Sequence, residues 1–171
     1  MMIRSSPQKM ANSTAYDKAK WHDETVASYG LPEENAPHHI VFFFRWLIEH
    51  DLLSEWMKEE DPAAYQAVRS GRKSALDYFD DWDRCLISDM LTEEGNAFAA
   101  AYFDYEKGAY LGDLIGTLKG NLPSEYHIPF NDETYGRLCP VLDSRYAAWK
   151  SGSVAAVTKQ AAPRKWWQFW K

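Results

Sequence analysis

Apolar residues recur at three- and four-residue steps along most of the chain, which divides it into a series of amphipathic helices. The strongest stretch is 35–60. There Phe43, Trp46, Leu47, His50, Leu53 and Met57 form one stripe, Ile40, Phe44, Ile48 and Leu52 widen it, and Arg45, Glu49, Glu55 and Lys58 stay outside. A stripe this wide predicts a central helix. Asp61-Pro62 restarts a short helix, because the aspartate accepts first-turn amides and the proline has none to satisfy; Gly71 ends it. Further helices are expected over 73–91, over 93–107 with Thr92 as cap, over 110–120 after a break at Gly108, and over 132–150, where Pro140 should kink or split the helix. The run Ala99-Ala100-Ala101 permits close approach of a neighbouring helix. Residues 16–23 keep no period and read as an extended or turning lead-in that pins an aromatic ring onto the core. No stretch alternates long enough to predict a strand. The expectation is an all-α fold, a single compact helical domain of five to seven helices over 16–150. A flexible arm, 1–15, precedes it, and a tether with a basic aromatic C-terminal tail, 151–171, follows.

Composition supports one ordinary domain. The chain has 171 residues, 46% of them apolar, and at this size about 70% of the extended surface can be buried without disulfide or metal staples. Cys85 and Cys139 are too few for a disulfide framework, lack metal-ligand spacing, and read as small buried apolar groups. Charge is unevenly spread. The net value is −6, yet residues 12–150 hold all 25 acids against 13 bases, while both ends are basic. An acidic body repels a nucleic-acid backbone and favours a protein partner with a basic surface. Asp77, Asp80, Asp81 and Asp83 fall on one helical face at i,i+3 and i,i+4 spacing, which makes them the expected partner-binding surface.

The tail Arg164-Lys165-Trp166-Trp167-Gln168-Phe169-Trp170-Lys171 brackets three of the eight tryptophans with cations. That composition suits weak contact with a membrane surface through Arg164, Lys165, Trp166, Trp167, Phe169 and Trp170. The apolar run Ile40-Val41-Phe42-Phe43-Phe44 falls far short of the roughly 20 residues a membrane span needs, and no secretory leader is visible. A cytoplasmic protein is expected, peripheral at the inner membrane if the tail engages lipid.

Catalytic motifs are absent. There is no Gly-x-Ser-x-Gly, no phosphate-binding glycine loop after a strand, and no His-Glu-x-x-His. His22, His38, His39 and His50 with Asp17, Asp23 and Asp51 offer metal-ligand chemistry, but their spacing matches no helical ligand pair. His38 and His39, adjacent on a helix, point about 100° apart. Asp17, His22 and His39 remain a candidate polar site, with neither metal nor cofactor expected.

The string Tyr16-Asp17-x-x-x-Trp21-His22, then His39-Ile40 and Phe43-x-x-Trp46, resembles an uncharacterised bacterial family, domain of unknown function 7832. The similarity continues through Glu94-Gly95-Asn96-Ala97-Phe98-Ala99 with Tyr102 and through Tyr110-Leu111 with Asp113. It resumes at Leu138, Pro140-Val141-Leu142-Asp143, Arg145-Tyr146 and Trp149, and so spans 16–150. The resemblance implies a small cytoplasmic bacterial protein, some relatives being associated with toxin and immunity loci; it brings no catalytic residues. These readings together point to a non-enzymatic interaction module, an immunity-type inhibitor of a basic toxin or effector. Two alternatives stand beside it: a small hydrolase or metal-binding protein using His22 and His39, and a peripheral membrane adaptor acting through the tail.

Overall fold

The computed structural model describes residues 13–159. The arm before residue 13 and the aromatic tail from 160 onward lie outside the described residues. Eight α-helices are present among them: α1 (Asp23–Ser28), α2 (His38–Glu49), α3 (Glu55–Glu60), α4 (Pro62–Arg69), α5 (Ala75–Asp80), α6 (Glu93–Tyr102), α7 (Tyr110–Leu114) and α8 (Asp132–Lys150). Two short strands, β1 (Ala15–Lys18) and β2 (Cys85–Ile87), pair antiparallel. The fold is helical, as the periodicity predicts, with this small sheet added.

Helix α2 occupies the centre. Nine of its residues are buried, from His39 to Ile48 with only Arg45 spared. Phe43 alone packs rings with Trp46, Phe98, Tyr102, Phe103 and Tyr110. A smaller apolar group, Ala19, Val26, Ala36 and Tyr126 with Leu31 against it, lies beside the main core.

The caps read from sequence are present. Asp61 accepts the Ala64 amide with Pro62 in the first turn, and Thr92 accepts the Gly95 amide. Helix α4 stops at Arg69, with Gly71 at φ +72° just beyond it. Helix α7 runs on through a π-type turn, Ile115–Lys119, to Gly120 at φ +49°.

Several expected elements differ. The stretch 35–60 is two helices, because Asp51 adopts φ +58° and Leu53 leaves the helical path to bridge Leu91. The stretch 73–91 is α-helical only over Ala75–Asp80, with a 3-10 turn at Ser88–Met90. Asp83 and Arg84 both take positive φ and turn the chain into β2. Residues 15–22 form β1 and a 3-10 turn, Ala19–His22; the ring they pack against the core is Tyr16, while Trp21 is 59% exposed, and they also bury a carboxylate, Asp17. Pro140 does not split α8. Both Pro140 and Gly136, whose carbonyl lacks its usual amide partner, face solvent, so water can serve that carbonyl. A close approach is made at Gly95, where a Cβ would meet the Leu52 carbonyl oxygen at 2.8 Å. Cys85 is buried as expected; Cys139 is only partly so and donates to Asp143.

Candidate metal centre

Asp17 reaches the interior because β1 is bulged. Ala15 pairs with Ile87 and Asp17 with Leu86, so the intervening Tyr16 is an extra residue. A bulge bends its strand and re-aims the side chains beside it. The 3-10 turn that follows then carries His22 back towards Asp17, and the first turn of α2 supplies His39.

The three side chains meet. His22 Nε2 lies 2.7 Å from Asp17 Oδ1, and His39 Nε2 lies 3.0 Å from Asp17 Oδ2. The imidazole rings stand edge to face, with centroids 4.5 Å apart. Asp17 Oδ1 also accepts the Lys18 amide at 2.7 Å, and Oδ2 accepts the Tyr105 hydroxyl. Tyr126 places its hydroxyl 2.8 Å from His22 Nδ1. A carboxylate oxygen only accepts, so each Nε2 carries a proton and donates it to Asp17, while His22 Nδ1 pairs with the Tyr126 hydroxyl. His39 Nδ1 is buried with no hydrogen-bond partner.

Electrostatics follow from this arrangement. Burial alone would raise the Asp17 carboxyl, but hydrogen bonds from His22, His39 and Tyr105 outweigh it and hold the group well below the usual carboxylate range. Burial pushes His39 below its ordinary value, so the ring is neutral at pH 7. The Tyr105 phenol is pushed far up, by burial first and then by the Asp17 charge. A buried anion thus stands between two imidazoles, of which the fully buried one, His39, is neutral.

The donor atoms of Asp17, His22 and His39 all lie within 4.8 Å of one another. Around an ion with bonds of about 2.1 Å, adjacent donors sit about 3 Å apart, and the two histidine–carboxylate separations, 2.7 and 3.0 Å, lie close to that. Two imidazoles and one carboxylate suit a first-row transition ion and leave coordination positions for water or substrate. His22, with 18% of its side chain exposed, is the most solvent-accessible of the three.

A family model described as a domain of unknown function, DUF7832, matches residues 15–128. The chain belongs to that family. All five side chains of the site lie inside the matched segment of this DUF7832 domain, whereas the resembling residues at 138–149 lie beyond it. No curated protein and no solved structure matches the chain.

The expectation of a non-enzymatic protein is overturned by this cluster. A DUF7832 domain that spends its buried polar groups on a two-histidine, one-carboxylate arrangement has the means for metal binding and catalysis. The spacing argument failed because it considered ligands on one helix, while these come from a strand, a 3-10 turn and a helix. His38, His50 and Asp51 do not join the cluster. His38 faces the Ile128 carbonyl, His50 sits between the Trp46 carbonyl and Asp143, and Asp51 binds Tyr65, Lys58 and Arg69.

Asp77, Asp80, Asp81 and Asp83 are all exposed, but α5 ends at Asp80, so the four do not share a helical face. Asp80 pairs with Arg84 at 2.7 Å, and Asp81 with Lys73. The tail residues Arg164 to Trp170 are outside the described residues. No helix among the described residues is long and apolar enough to cross a membrane. Tyr105 and Tyr126 escaped the sequence reading, since nothing separates them from the other tyrosines of an aromatic-rich chain.

An open cleft of about 660 Å3 lies elsewhere, lined by Arg45, Glu49, Arg69, Lys73 and Asp132 among others. Its cations are already engaged: Arg45 by Glu49 and Asp132, Arg69 by Asp51, Lys73 by Asp81.

Proposed function

We propose that this DUF7832 domain is a metal-dependent protein whose Asp17, His22 and His39 hold one first-row transition ion for hydrolytic chemistry on a small substrate. The observation that carries this reading is the convergence of three ligand-capable atoms within 4.8 Å around a carboxylate that has no solvent exposure. Asp17 is hydrogen-bonded by four donors, and a cation is a further partner that two imidazoles and a carboxylate can serve together. An ion there lowers the pKa of a bound water and polarises a substrate oxygen, so hydrolysis needs no separate nucleophilic side chain. Ligation through Nε2 requires each imidazole to release the proton it now gives Asp17. For His22 the displaced proton has a place on Nδ1, with the Tyr126 oxygen as acceptor, which is the usual orienting contact of a metal-bound histidine.

Metal analysis of the purified full chain tests the reading. One zinc, cobalt, manganese or iron ion per chain is expected, removable by chelator and restored on reloading. D17N and H39Q are expected to bind at least tenfold more weakly. A folded wild-type chain that takes up none of these ions would sink the proposal.

A further inference from the structure

We infer that Tyr105 is a fourth protein ligand of the centre, its phenolate oxygen joining His22, His39 and Asp17, and that the ion it selects is Fe(III). The inference rests on the metal reading proposed above and goes beyond it by naming a ligand and an oxidation state.

The Tyr105 hydroxyl donates to Asp17 Oδ2, the same oxygen that receives the His39 Nε2 proton, so the phenol oxygen and the His39 nitrogen are both neighbours of one carboxylate oxygen. The Tyr105 ring also stands almost equally far from both imidazoles, at 6.3 Å from His39 and 6.5 Å from His22 between centroids. Tyr126 differs. It meets His22 at Nδ1, the nitrogen facing away from Asp17, and so can orient that ring but not share its ion.

The backbone around Tyr105 is held in place. Lys159 donates its side-chain ammonium to the Tyr105 carbonyl and its amide to the Lys107 carbonyl at 2.7 Å. A Cβ at Gly108 would collide with the Tyr102 and Asp104 carbonyls, so this turn has one tight path. The phenol is delivered to the carboxylate by a constrained loop.

The donor set then comprises two neutral imidazoles and two anionic oxygens. Hard anionic oxygens favour a hard ion, and tyrosinate is an established ligand type for iron. Fe(III) with one carboxylate and one phenolate keeps a single positive charge, which a bound hydroxide cancels inside a buried site. On coordination the Tyr105 O–H bond breaks, its electron pair goes to iron and the proton leaves to solvent; no electron is transferred.

Phenolate bound to Fe(III) absorbs visible light by charge transfer, which gives a readout independent of activity. The full chain is loaded with Fe(III), and absorption and resonance Raman spectra are recorded for wild type, Y105F, Y126F and Y110F. The expected result is a visible band with phenolate vibrations in wild type, Y126F and Y110F. In Y105F the band is absent although one iron per chain is still bound. Iron-loaded wild type without the band overturns the role of Tyr105 and leaves the three-ligand centre standing, as does a band that survives in Y105F. Should Y105F not fold, a band lost in Y126F or Y110F overturns the inference, and a band retained in both supports it. A wild-type chain that binds cobalt but no iron removes Fe(III) alone; one that binds no ion at all removes the metal reading with it.

Discussion

Asp17 shows how one buried charge organises its surroundings. Its two oxygens accept an amide, two imidazole protons and a phenol proton, so the carboxylate is paired without any cation side chain. Its neighbours give the metal-free chain a defined response to pH. His39 is held by burial below its ordinary value of 6.5, and His38 is lowered mainly by burial as well. In the unfolded chain both take up protons near that ordinary value. Below it, therefore, the unfolded state binds protons that the folded state does not, and stability declines as pH falls towards the folded values. Asp17 acts further down: its contribution is complete above its ordinary 3.8 and is lost as pH falls through the depressed folded value. The urea midpoint of metal-free protein is expected to drop between pH 7 and pH 5, and the drop should be shallower in H39Q. A midpoint that rises on acidification would show that His39 is charged in the fold.

At the scale of elements, the helices are set less by their stripes than by what interrupts them. Leu52 and Leu53 continue the stripe of α2, so periodicity carries the helix through them. In the structure Leu53 bridges Leu91 and the Leu52 carbonyl accepts the Thr92 amide, which ties the end of α2 to the start of α6. Gly95 makes that junction possible, because any larger residue would push α6 off the Leu52 carbonyl. Gly95→Ala is expected to destabilise the domain by about 1–3 kcal/mol. Denaturant titration would show this as a lower midpoint with an unchanged slope. The left-handed backbone at Asp51 and Asp83 was equally hidden, since aspartate tolerates that conformation but does not announce it as glycine does.

Over the whole molecule, the C-terminal end of the described chain is clamped to the part that carries the site. Arg145 on α8 grips Asp113 through two parallel hydrogen bonds of 2.8 and 2.7 Å and donates a third to the Ala156 carbonyl. Asp113 also receives the Tyr102 hydroxyl. This holds 154–159 so that Val157 is buried and its carbonyl accepts the Ala109 amide, while Lys159 binds the loop bearing Tyr105. Removing the guanidinium should therefore loosen a region distant in sequence. R145Q is expected to raise amide hydrogen exchange at Ala109 and Lys159 by at least tenfold, with the centre of α2 unchanged. Uniform acceleration throughout the chain would instead mark Arg145 as a contributor to global stability.

The sequence by itself determined the helical class, the central place of the apolar stripe within 35–60 and the caps at Asp61 and Thr92. These are local: a period of 3.6 residues and a side chain within reach of its own first turn are written in neighbouring positions. It also held Asp17, His22 and His39 in view, as a polar group without a common spacing. Only the tertiary structure decided that Asp17, His22 and His39 meet and that Tyr105 and Tyr126 close around them. The reason is that periodicity encodes which face of an element is buried, whereas which buried faces touch depends on a strand bulge, two left-handed turns and the packing of segments far apart in the chain.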